Sequence, residues 1–251
     1  GALMMKQVQI ISHRGGAYLW PENSLLAFRQ SLTLPVEVLE CDVHPSADGV
    51  PMVHHDATLE RMTDLAGPLV ARSAAELGKA RFRGAPEEGI PTLAALARLV
   101  APSDKLLRVE VKGDRDHKPY PDFLPRVLGV LEAEGMLTRT IIIAFHGGTA
   151  AAAAQEKRLA GAIWLVNSAI LASLGPDACM AAARALGVTG CECSMGDVTP
   201  AFIAAARKAG LTTGVWAANH RAEIEKALDL GMDAFATDDP PLAIELRKAC
   251  G

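Results

Sequence analysis

The sequence is poor in aromatic residues and has no excess of basic charge. Phe, Trp and Tyr make up 4% of the 251 residues, and 25 Lys and Arg stand against 29 Asp and Glu, a formal net charge of -4. A protein that binds nucleic-acid backbones needs a positive surface, so this balance argues against a general nucleic-acid binder. No apolar run approaches the roughly 20 residues that span a bilayer, which argues against a transmembrane segment.

Cysteines are few, and their spacing suits neither a disulfide framework nor a metal site. There are five, an odd number, and the close pair Cys191 and Cys193 has neither pattern. We expect buried, unpaired thiols in a reducing compartment, which favours a cytoplasmic protein. The first residues, Gly1 to Met5, are too short and too weakly charged for a secretory signal, and we expect them to be disordered or left over from cloning.

What the sequence does contain is an ordinary globular balance, with 50% hydrophobic and 22% charged residues. Its length suits one α/β domain, and we expect residues 1–251 to form a single domain. Apolar bursts alternate with Ala- and Leu-rich stretches of helical period, and most bursts are apolar in consecutive positions, as in parallel strands covered on both faces. The predicted strands are Val8–Ser12, Val36–Val43, Pro51–His54, Leu106–Val111, Ile141–Phe145, Ala162–Val166, Thr189–Cys193, Thr212–Trp216 and Ala234–Thr237.

Helices are predicted between these strands, and several have clear start signals. Ser73 and Glu76 have the spacing of a capping box, and Pro200 and Pro240 stand where a first helical residue would. The predicted helices are Ser24–Leu32, Ser73–Gly78, Thr92–Val100, Pro121–Glu134, Pro176–Leu186, Pro200–Lys208, Arg221–Leu230 and Pro240–Lys248.

This alternation, without a linker or a shift in composition, predicts a single-domain (β/α)8 TIM barrel. A doubly wound open sheet is the alternative, but the Gly-x-Gly-x-x-Gly loop that often accompanies it is missing after the first strand. Nine predicted strands compete for eight places, and the link from Asp42 to Val50 is too short for a helical crossover. Either an extended segment runs back along the barrel there, or one candidate lies outside it.

Polar residues follow the first four barrel-strand candidates, at the carboxyl ends where such barrels carry their catalytic groups. Residues two apart on a strand share a face, so Glu40 and Asp42 point the same way while Cys41 points into the helix layer. The four ends read Ser12-His13-Arg14-Gly15-Gly16, Glu40-Cys41-Asp42, His54-His55-Asp56 and Glu110-Val111-Lys112-Gly113.

These residue types together predict metal-assisted displacement at phosphorus. The inward carboxylates Glu40, Asp42 and Glu110 would repel one another unless a cation lay between them, and oxygen ligands favour Mg²⁺ or Ca²⁺. Two histidines beside that cation suit acid and base roles, and Arg14 and Lys112 supply the positive charge that a phosphate needs. Structural interpretations stay open: the carboxylates could form a salt-bridged barrel rim, and Lys112 could merely neutralise Glu110.

The same residues belong to an ordered set of motifs that spans nearly the whole chain. The stretches are His13-Arg14-Gly15, Pro21-Glu22-Asn23-Ser24, Glu40-Cys41-Asp42-Val43, Asp48-Gly49, Val53-His54-His55-Asp56, Leu59-Glu60-Arg61-Met62-Thr63, Pro91-Thr92-Leu93, Glu110-Val111-Lys112, Val215-Trp216 with Asn219, and Thr237-Asp238 with Pro240. This set resembles the glycerophosphodiester phosphodiesterases, and its order and gaps make it specific, although each piece alone is weak.

The resemblance implies a TIM-barrel enzyme that hydrolyses glycerophosphodiesters to sn-glycerol 3-phosphate and an alcohol. Its partner would be a small-molecule phosphodiester, and its cofactor one divalent cation, Mg²⁺ or Ca²⁺. The implied mechanism has the glycerol 2-hydroxyl attack phosphorus and expel the alcohol, after which water opens the cyclic phosphate. Holding the nucleophile inside the substrate replaces several kcal/mol of association entropy. Oligomeric state is left open.

The resemblance also implies roles for individual residues. By position, Glu40, Asp42 and Glu110 would hold the metal, and His13 and His55 would be the general acid and base. The family's His-Asp pairing selects His55 over its neighbour in the sequence, and strand alternation agrees that only one of the two faces inward.

Further positions that resemble the family would contact the substrate. Arg14 and Lys112 would hold phosphate oxygens, and Trp216 would form an apolar wall near the glycerol. Two stretches depart from the family pattern, Ala144-Phe145 and Ala217-Ala218, and both lie at predicted strand ends. These departures bear on substrate preference more than on chemistry.

Two other hypotheses remain. The same barrel could cleave inositol phosphate or lysolipid headgroups, although few aromatic residues are available for a lipid-binding rim. A catalytically silent barrel that binds phosphodiesters would lack a metal ligand or a histidine, and none is missing from the set. The other histidines are expected in exposed loops or at helix starts: His44, His117, His146 and His220.

Overall fold

Parallel strands close into a barrel within residues 6–251, which are the residues that the structure, a computed structural model, describes. The expectation for the first five residues lies outside this range. The strands are β1 (Gln9–Ser12), β2 (Val38–Pro45), β3 (Pro51–Val53), β4 (Leu106–Val111), β5 (Thr140–Ala144), β6 (Gly161–Leu165), β7 (Gly190–Ser194), β8 (Thr212–Trp216) and β9 (Ala234–Thr237).

The barrel closes through β1, which pairs in parallel with both β2 and β9. The order around it is β1-β9-β8-β7-β6-β5-β4-β2, and each of these neighbours is parallel. β3 pairs antiparallel with the carboxyl end of β2 and lies outside the ring. The predicted TIM barrel is therefore confirmed. Of the nine predicted strands, the one outside the barrel is Pro51–His54, observed as β3, a short return strand that forms a hairpin with β2.

Helices follow the barrel strands and cover the outside. Several begin at the predicted caps: the Ser73–Glu76 capping box forms, and Thr199 and Asp239 accept hydrogen bonds from the first turns of their helices. The helices are α1 (Leu25–Ser31), α2 (Ala74–Gly78), α3 (Leu93–Val100), α4 (Phe123–Ala133), α5 (Gly147–Ala154), α6 (Ser168–Leu186), α7 (Pro200–Lys208), α8 (Arg221–Asp229) and α9 (Pro240–Cys250).

Two helical segments differ from the prediction. α5 was not predicted, because Gly147, Gly148 and the alanines after them have no apolar period to mark a buried face. α6 begins earlier than predicted and passes the length and hydropathy criteria for a membrane span, with a mean hydropathy of 1.2. Gly175, however, has φ 78° and ψ 167°, so α6 is two helical pieces, and neither reaches the roughly 20 residues that a bilayer requires.

Apolar clusters lie on both sides of the barrel strands. The largest one packs strand residues against the helices and includes Cys41, which points outward as predicted. Two smaller clusters fill the barrel interior, one around Ile11 and Ala236 and the other around Ile143 and Leu165. Four of the five free cysteines are buried as expected, and Cys250 is exposed. The strand ends above the interior clusters are thereby left to polar side chains.

Candidate active site

The carboxyl ends of the strands bring the predicted site residues to one cavity. This cavity has a volume of about 140 Å³ and opens above the apolar interior of the barrel. Asp42 lies in the carboxylate cluster beside it. The other predicted site residues line the cavity: His13, Arg14, Glu40, His55, Glu110, Lys112 and Trp216.

Three buried carboxylates form a cluster that can hold a divalent cation. One oxygen each from Glu40, Asp42 and Glu110 lies within 4.8 Å of the others. Among residues 6–251, Glu40 Oε1 and Asp42 Oδ1 are buried without a hydrogen-bond partner. Such atoms are costly unless something binds them, and an all-oxygen donor set suits Mg²⁺ or Ca²⁺. The residues present therefore fit a divalent metal.

The pKa values of Glu40 and Asp42 in this cluster are shifted in opposite directions. Burial and the neighbouring Asp42 carboxylate raise the pKa of Glu40 to about 8. Burial would also raise the pKa of Asp42, but the positive charges of Lys112, His55 and Arg14 hold this pKa well below its usual range. The protein alone thus neutralises one carboxylate with nearby cations and leaves the other partly protonated near neutral pH.

His13 is held by an aspartate from the last strand of the barrel. Its Nδ1 lies 2.7 Å from Asp238 Oδ1, and its Nε2 lies 3.5 Å from Glu40 Oε2. Burial alone would lower the pKa of His13, but the Glu40 charge and the Asp238 hydrogen bond raise it to about 9. Asn219 Oδ1 accepts the main-chain N–H of Asp238 and so fixes the aspartate in turn. The Nε2 edge of the ring is left to face the carboxylates.

His55 is held in a similar way by its sequence neighbour. Its Nδ1 lies 2.8 Å from Asp56 Oδ1, and its Nε2 lies 3.4 Å from Lys112 Nζ. Arg61 donates to both oxygens of Asp56 and, on its other side, to both oxygens of Glu22. The preceding residue, His54, is buried and bonds through Nε2 to the carbonyl of Thr58, so of the two adjacent histidines only His55 lines the cavity.

Two cations border the carboxylate cluster. Lys112 Nζ lies 2.9 Å from Glu110 Oε2, and Arg14 Nε lies 3.6 Å from Asp42 Oδ2. Arg14 has φ 54° and ψ 26°, a left-handed conformation that costs a residue with a side chain about 1–3 kcal/mol. A hydrogen bond of 3.0 Å from its main-chain N–H to Glu40 Oε2 holds it there. Gly15 follows with φ 82°, and a Cβ at this position would lie 2.8 Å from that of Ala27.

One side of the cavity is apolar and aromatic. The rings of Trp216 and Phe145 meet edge to face, with centroids 5.2 Å apart. Ile143 and Leu165 continue this wall into the barrel interior. The cavity thus joins a charged half, suited to a phosphate, to an apolar half, suited to carbon-bound hydrogens.

A buried ion pair forms another part of the cavity lining. Arg108 donates two hydrogen bonds to Glu192, of 2.7 and 2.9 Å, and both side chains are almost fully buried. Arg108 lies on β4 two residues before Glu110, and Glu192 lies on β7 between two outward-facing cysteines. The rule that residues two apart share a face would have found both, since each has the parity of an inward-facing position.

His44 is not exposed, and the expectation for this residue was wrong. It continues the inward parity of Glu40 and Asp42 on β2, and its relative exposure is 1%. Burial lowers the pKa of His44 to about 4, so the ring is neutral near neutral pH. The other three histidines outside the site are exposed as expected, with His146 and His220 at helix starts and His117 in a loop.

The comparisons with known proteins agree with the geometry. A carboxylate cluster, two Asp-held histidines and two cations at the carboxyl face of a TIM barrel are the residue types that metal-assisted chemistry on a phosphate ester requires. The family model described as the glycerophosphoryl diester phosphodiesterase family matches residues 13–242. The chain belongs to this family and is a phosphoric diester hydrolase.

Relatives cover the chain almost from end to end. A glycerophosphodiester phosphodiesterase of Caldanaerobacter subterraneus is 24% identical over 250 residues, which is 96% of this chain and 98% of the relative. A crystal structure from Agrobacterium tumefaciens, named as a candidate glycerophosphoryl diester phosphodiesterase, is 34% identical, with a TM-score of 0.93 over 97% of this chain and 98% of that one. An Oleispira antarctica phosphodiesterase, solved with its product sn-glycerol-3-phosphate, has a TM-score of 0.80 and 21% identity over 97% of both chains.

Proposed function

We propose that the protein hydrolyses glycerophosphodiesters to sn-glycerol 3-phosphate and an alcohol, with His13 and His55 as the acid and base. One observation carries this proposal. Both histidines are anchored through Nδ1 to an aspartate, which leaves each Nε2 turned toward the charged half of the cavity. An imidazole oriented by a carboxylate in this way is suited to taking and giving protons at neutral pH.

The carboxylates Glu40, Asp42 and Glu110 would hold one Mg²⁺ or Ca²⁺. Such an ion supplies Lewis-acid chemistry, in that it draws charge from the phosphoryl oxygens. Arg14 and Lys112 would bind the remaining phosphate oxygens, since they lie on the border of the carboxylate cluster. Trp216, together with Phe145, would pack against the carbon atoms of the glycerol.

The proton transfers follow from an attack inside the substrate. One histidine takes the proton of the glycerol 2-hydroxyl as its oxygen bonds to phosphorus, and the other gives a proton to the departing alcohol oxygen as that P–O bond breaks. In the second stage the two histidines exchange roles, and water opens the cyclic phosphate. Each transfer leaves the pair ready for the next, because one ring is protonated whenever the other is not.

A lysolipid is a second candidate substrate, and exposed apolar side chains at the mouth favour it. Tyr18 and Leu19 are 52% and 45% exposed, and the main-chain N–H of Tyr18 bonds to the carbonyl of Asp238, the residue whose side chain holds His13. Phe145, 39% exposed, stands on the aromatic wall.

We further propose that the protein is a cytoplasmic enzyme of lipid and glycerol metabolism. The five free cysteines support a reducing compartment.

The test is release of glycerol 3-phosphate by metal-stripped protein, with and without Mg²⁺ or Ca²⁺. Glycerophosphocholine and lysophosphatidylcholine are compared as substrates. We expect metal-dependent release of glycerol 3-phosphate from the first. Faster cleavage of the second, measured as release of choline and lysophosphatidic acid, would shift the proposal to lysolipids, and no cleavage of either with any ion would contradict it.

A further inference from the structure

His55 lies just beyond the last regular hydrogen bond of its strand. β3 ends at Val53, and the final bond of the hairpin runs from the main-chain N–H of His54 to the carbonyl of Asp42, at 2.9 Å. The position of the His55 ring therefore depends on what holds the main chain after this point. Its side-chain contacts with Asp56 and Lys112 orient the ring but do not by themselves place the backbone.

A buried histidine contacts the His55 main chain directly. Nε2 of His44 lies 2.8 Å from the carbonyl oxygen of His55. A carbonyl oxygen can only accept, so Nε2 carries the hydrogen, and in the neutral ring Nδ1 is then an acceptor. The Tyr120 hydroxyl lies 2.8 Å from this Nδ1 and donates to it. Both nitrogens of His44 are thus used, and one tautomer is selected.

Tyr120 anchors this arrangement to the rest of the barrel. It lies in the segment between β4 and α4, and its ring packs edge-on against Phe123, which is buried at the start of α4. The same ring also meets the His44 ring nearly edge to face, at 5.7 Å between centroids. A continuous set of contacts therefore runs from α4 through Tyr120 and His44 to the His55 main chain.

We propose that His44, oriented by Tyr120, is a positioning residue that fixes the main chain of His55 and so places its ring for proton transfer. The inference rests on the proposed role of His55. Placement matters because a shift of about 1 Å in a reacting group can lower a rate about 100-fold. His44 does not border the cavity and is not a catalytic residue.

The experiment compares His44→Leu with His44→Gln under saturating metal and glycerophosphocholine. Leucine removes both hydrogen bonds, whereas the amide of glutamine offers an N–H and an oxygen at a spacing close to that of the two ring nitrogens. We expect His44→Leu to lower kcat about 10- to 100-fold with KM changed less than 3-fold, and His44→Gln to recover most of the loss. Equal kcat in wild type and His44→Leu would overturn the proposal.

A double-mutant cycle separates positioning from general damage. If His44 acts through His55, His44→Leu will lower activity in the wild type but leave the residual activity of His55→Ala unchanged. A further loss of the same size in both backgrounds would contradict positioning. The His55→Ala variant also tests the proposed function separately, because full activity there would remove the role of His55 itself.

Tyr120→Phe provides a variant that keeps the core filled. It removes only the hydroxyl and retains both ring contacts, so the melting temperature should stay within a few degrees. We expect a fall in kcat of about 2- to 10-fold, smaller than for His44→Leu because His44 keeps its bond to the His55 carbonyl. An unchanged kcat in this variant would show that Tyr120 does not orient His44 and would overturn that part of the proposal.

Discussion

The amino and carboxyl ends of the barrel strands satisfy their charges in opposite ways. At the amino end, cations donate to main-chain carbonyls: Lys105 Nζ bonds to those of Leu34 and Val36, at 2.9 and 2.7 Å. Arg139 likewise donates to the carbonyls of residues 101, 103 and 105. These bonds join neighbouring loops and leave the cations paired. This end of the barrel is built for stability.

At the carboxyl end, ion pairs form as well, but the charges are crowded and several polar atoms lack a hydrogen bond within the described part of the chain. Glu40 Oε1, Asp42 Oδ1 and Arg14 Nε are buried without a hydrogen-bond partner among residues 6–251. Arg14 is also held in a left-handed conformation. Unsatisfied atoms and backbone strain at one end of a well-packed barrel are the features expected of a site prepared for a ligand. The contrast predicts that substitutions at the two ends will affect different measurements.

The largest expected effect is on catalysis at the carboxyl end. His13→Ala and His55→Ala should each lower kcat about 100- to 10,000-fold, the range for loss of general acid or base catalysis. The melting temperature should change by only a few degrees, since both side chains are partly exposed to solvent. Steady-state kinetics with glycerophosphocholine and thermal unfolding measure the two effects.

His117→Asn is the matched control for these variants. His117 is exposed in a loop and has φ 61°, a conformation that asparagine tolerates. Its kcat should equal that of the wild type. If His13→Ala or His55→Ala kept the kcat of the wild type, the assignment of that histidine as acid or base would be wrong. The contrast between the two ends would then not hold for catalysis.

A smaller effect, on stability alone, is expected at the amino end. Arg139→Ala removes donors from three carbonyls, and we expect the free energy of unfolding to fall by about 1–3 kcal/mol. The kcat of the folded protein should not change, because Arg139 precedes β5 at the end far from the cavity. Urea denaturation and kinetics at 25 °C would show the separation.

Arg158→Ala is the control that shows whether removing any hydrogen-bonded arginine lowers the free energy of unfolding. Arg158 also makes several hydrogen bonds, but to the carboxylates of Glu132 and Glu156 on the surface. Exposed ion pairs contribute little, so no measurable loss of stability is expected. If both variants lost the same stability, the carbonyl contacts of Arg139 would not be the cause. A fall in kcat for Arg139→Ala would contradict the expectation that the amino end affects stability alone.

Much of this organisation could be predicted from sequence, because parallel strands buried on both faces produce apolar runs that end in polar residues. The β2 run ends in Glu40 and Asp42, and the β4 run in Glu110 and Lys112, so strand ends alone indicate the cluster. Asp238 follows β9 directly and was within reach of the same rule. Asp238 was predicted only through the resemblance, because the prediction from polar strand ends covered the first four strands alone.

Other features depend on partners distant in the chain and leave no local signal. The burial of His44 depends on Tyr120, which lies 76 residues away. α5 was missed because alanine favours a helix without indicating a buried face, and its start is set by His146, whose ring accepts from the Thr149 N–H. Local patterns therefore predict where strands end, and tertiary contacts decide which polar residue is buried behind them.

The smallest expected effect is a gain of stability at the carboxyl end. The pKa of Glu40 in the folded protein, about 8, lies above its ordinary value of 4.5. Between these values the folded state retains a proton that the unfolded chain has released, so the wild type loses stability as the pH rises through this window. Glu40→Gln removes the ionisation, and the metal-free variant should melt higher than the metal-free wild type near pH 8, but not near pH 4.5. Each kcal/mol gained corresponds to about 2–4 °C.

With metal bound, the wild type should melt higher than Glu40→Gln, which is the reverse of the order expected for the metal-free proteins near pH 8. Mg²⁺ or Ca²⁺ should raise the melting temperature of the wild type, because it binds the folded state alone, and should raise that of Glu40→Gln much less. The exposed Glu225→Gln serves as control and should respond to metal and pH as the wild type does. Equal metal responses in wild type and Glu40→Gln would remove Glu40 from the proposed ligand set. A metal-free Glu40→Gln variant that is less stable at every pH would mean that the buried carboxylates are not strained, and the contrast between the barrel ends would then rest on Arg14 alone.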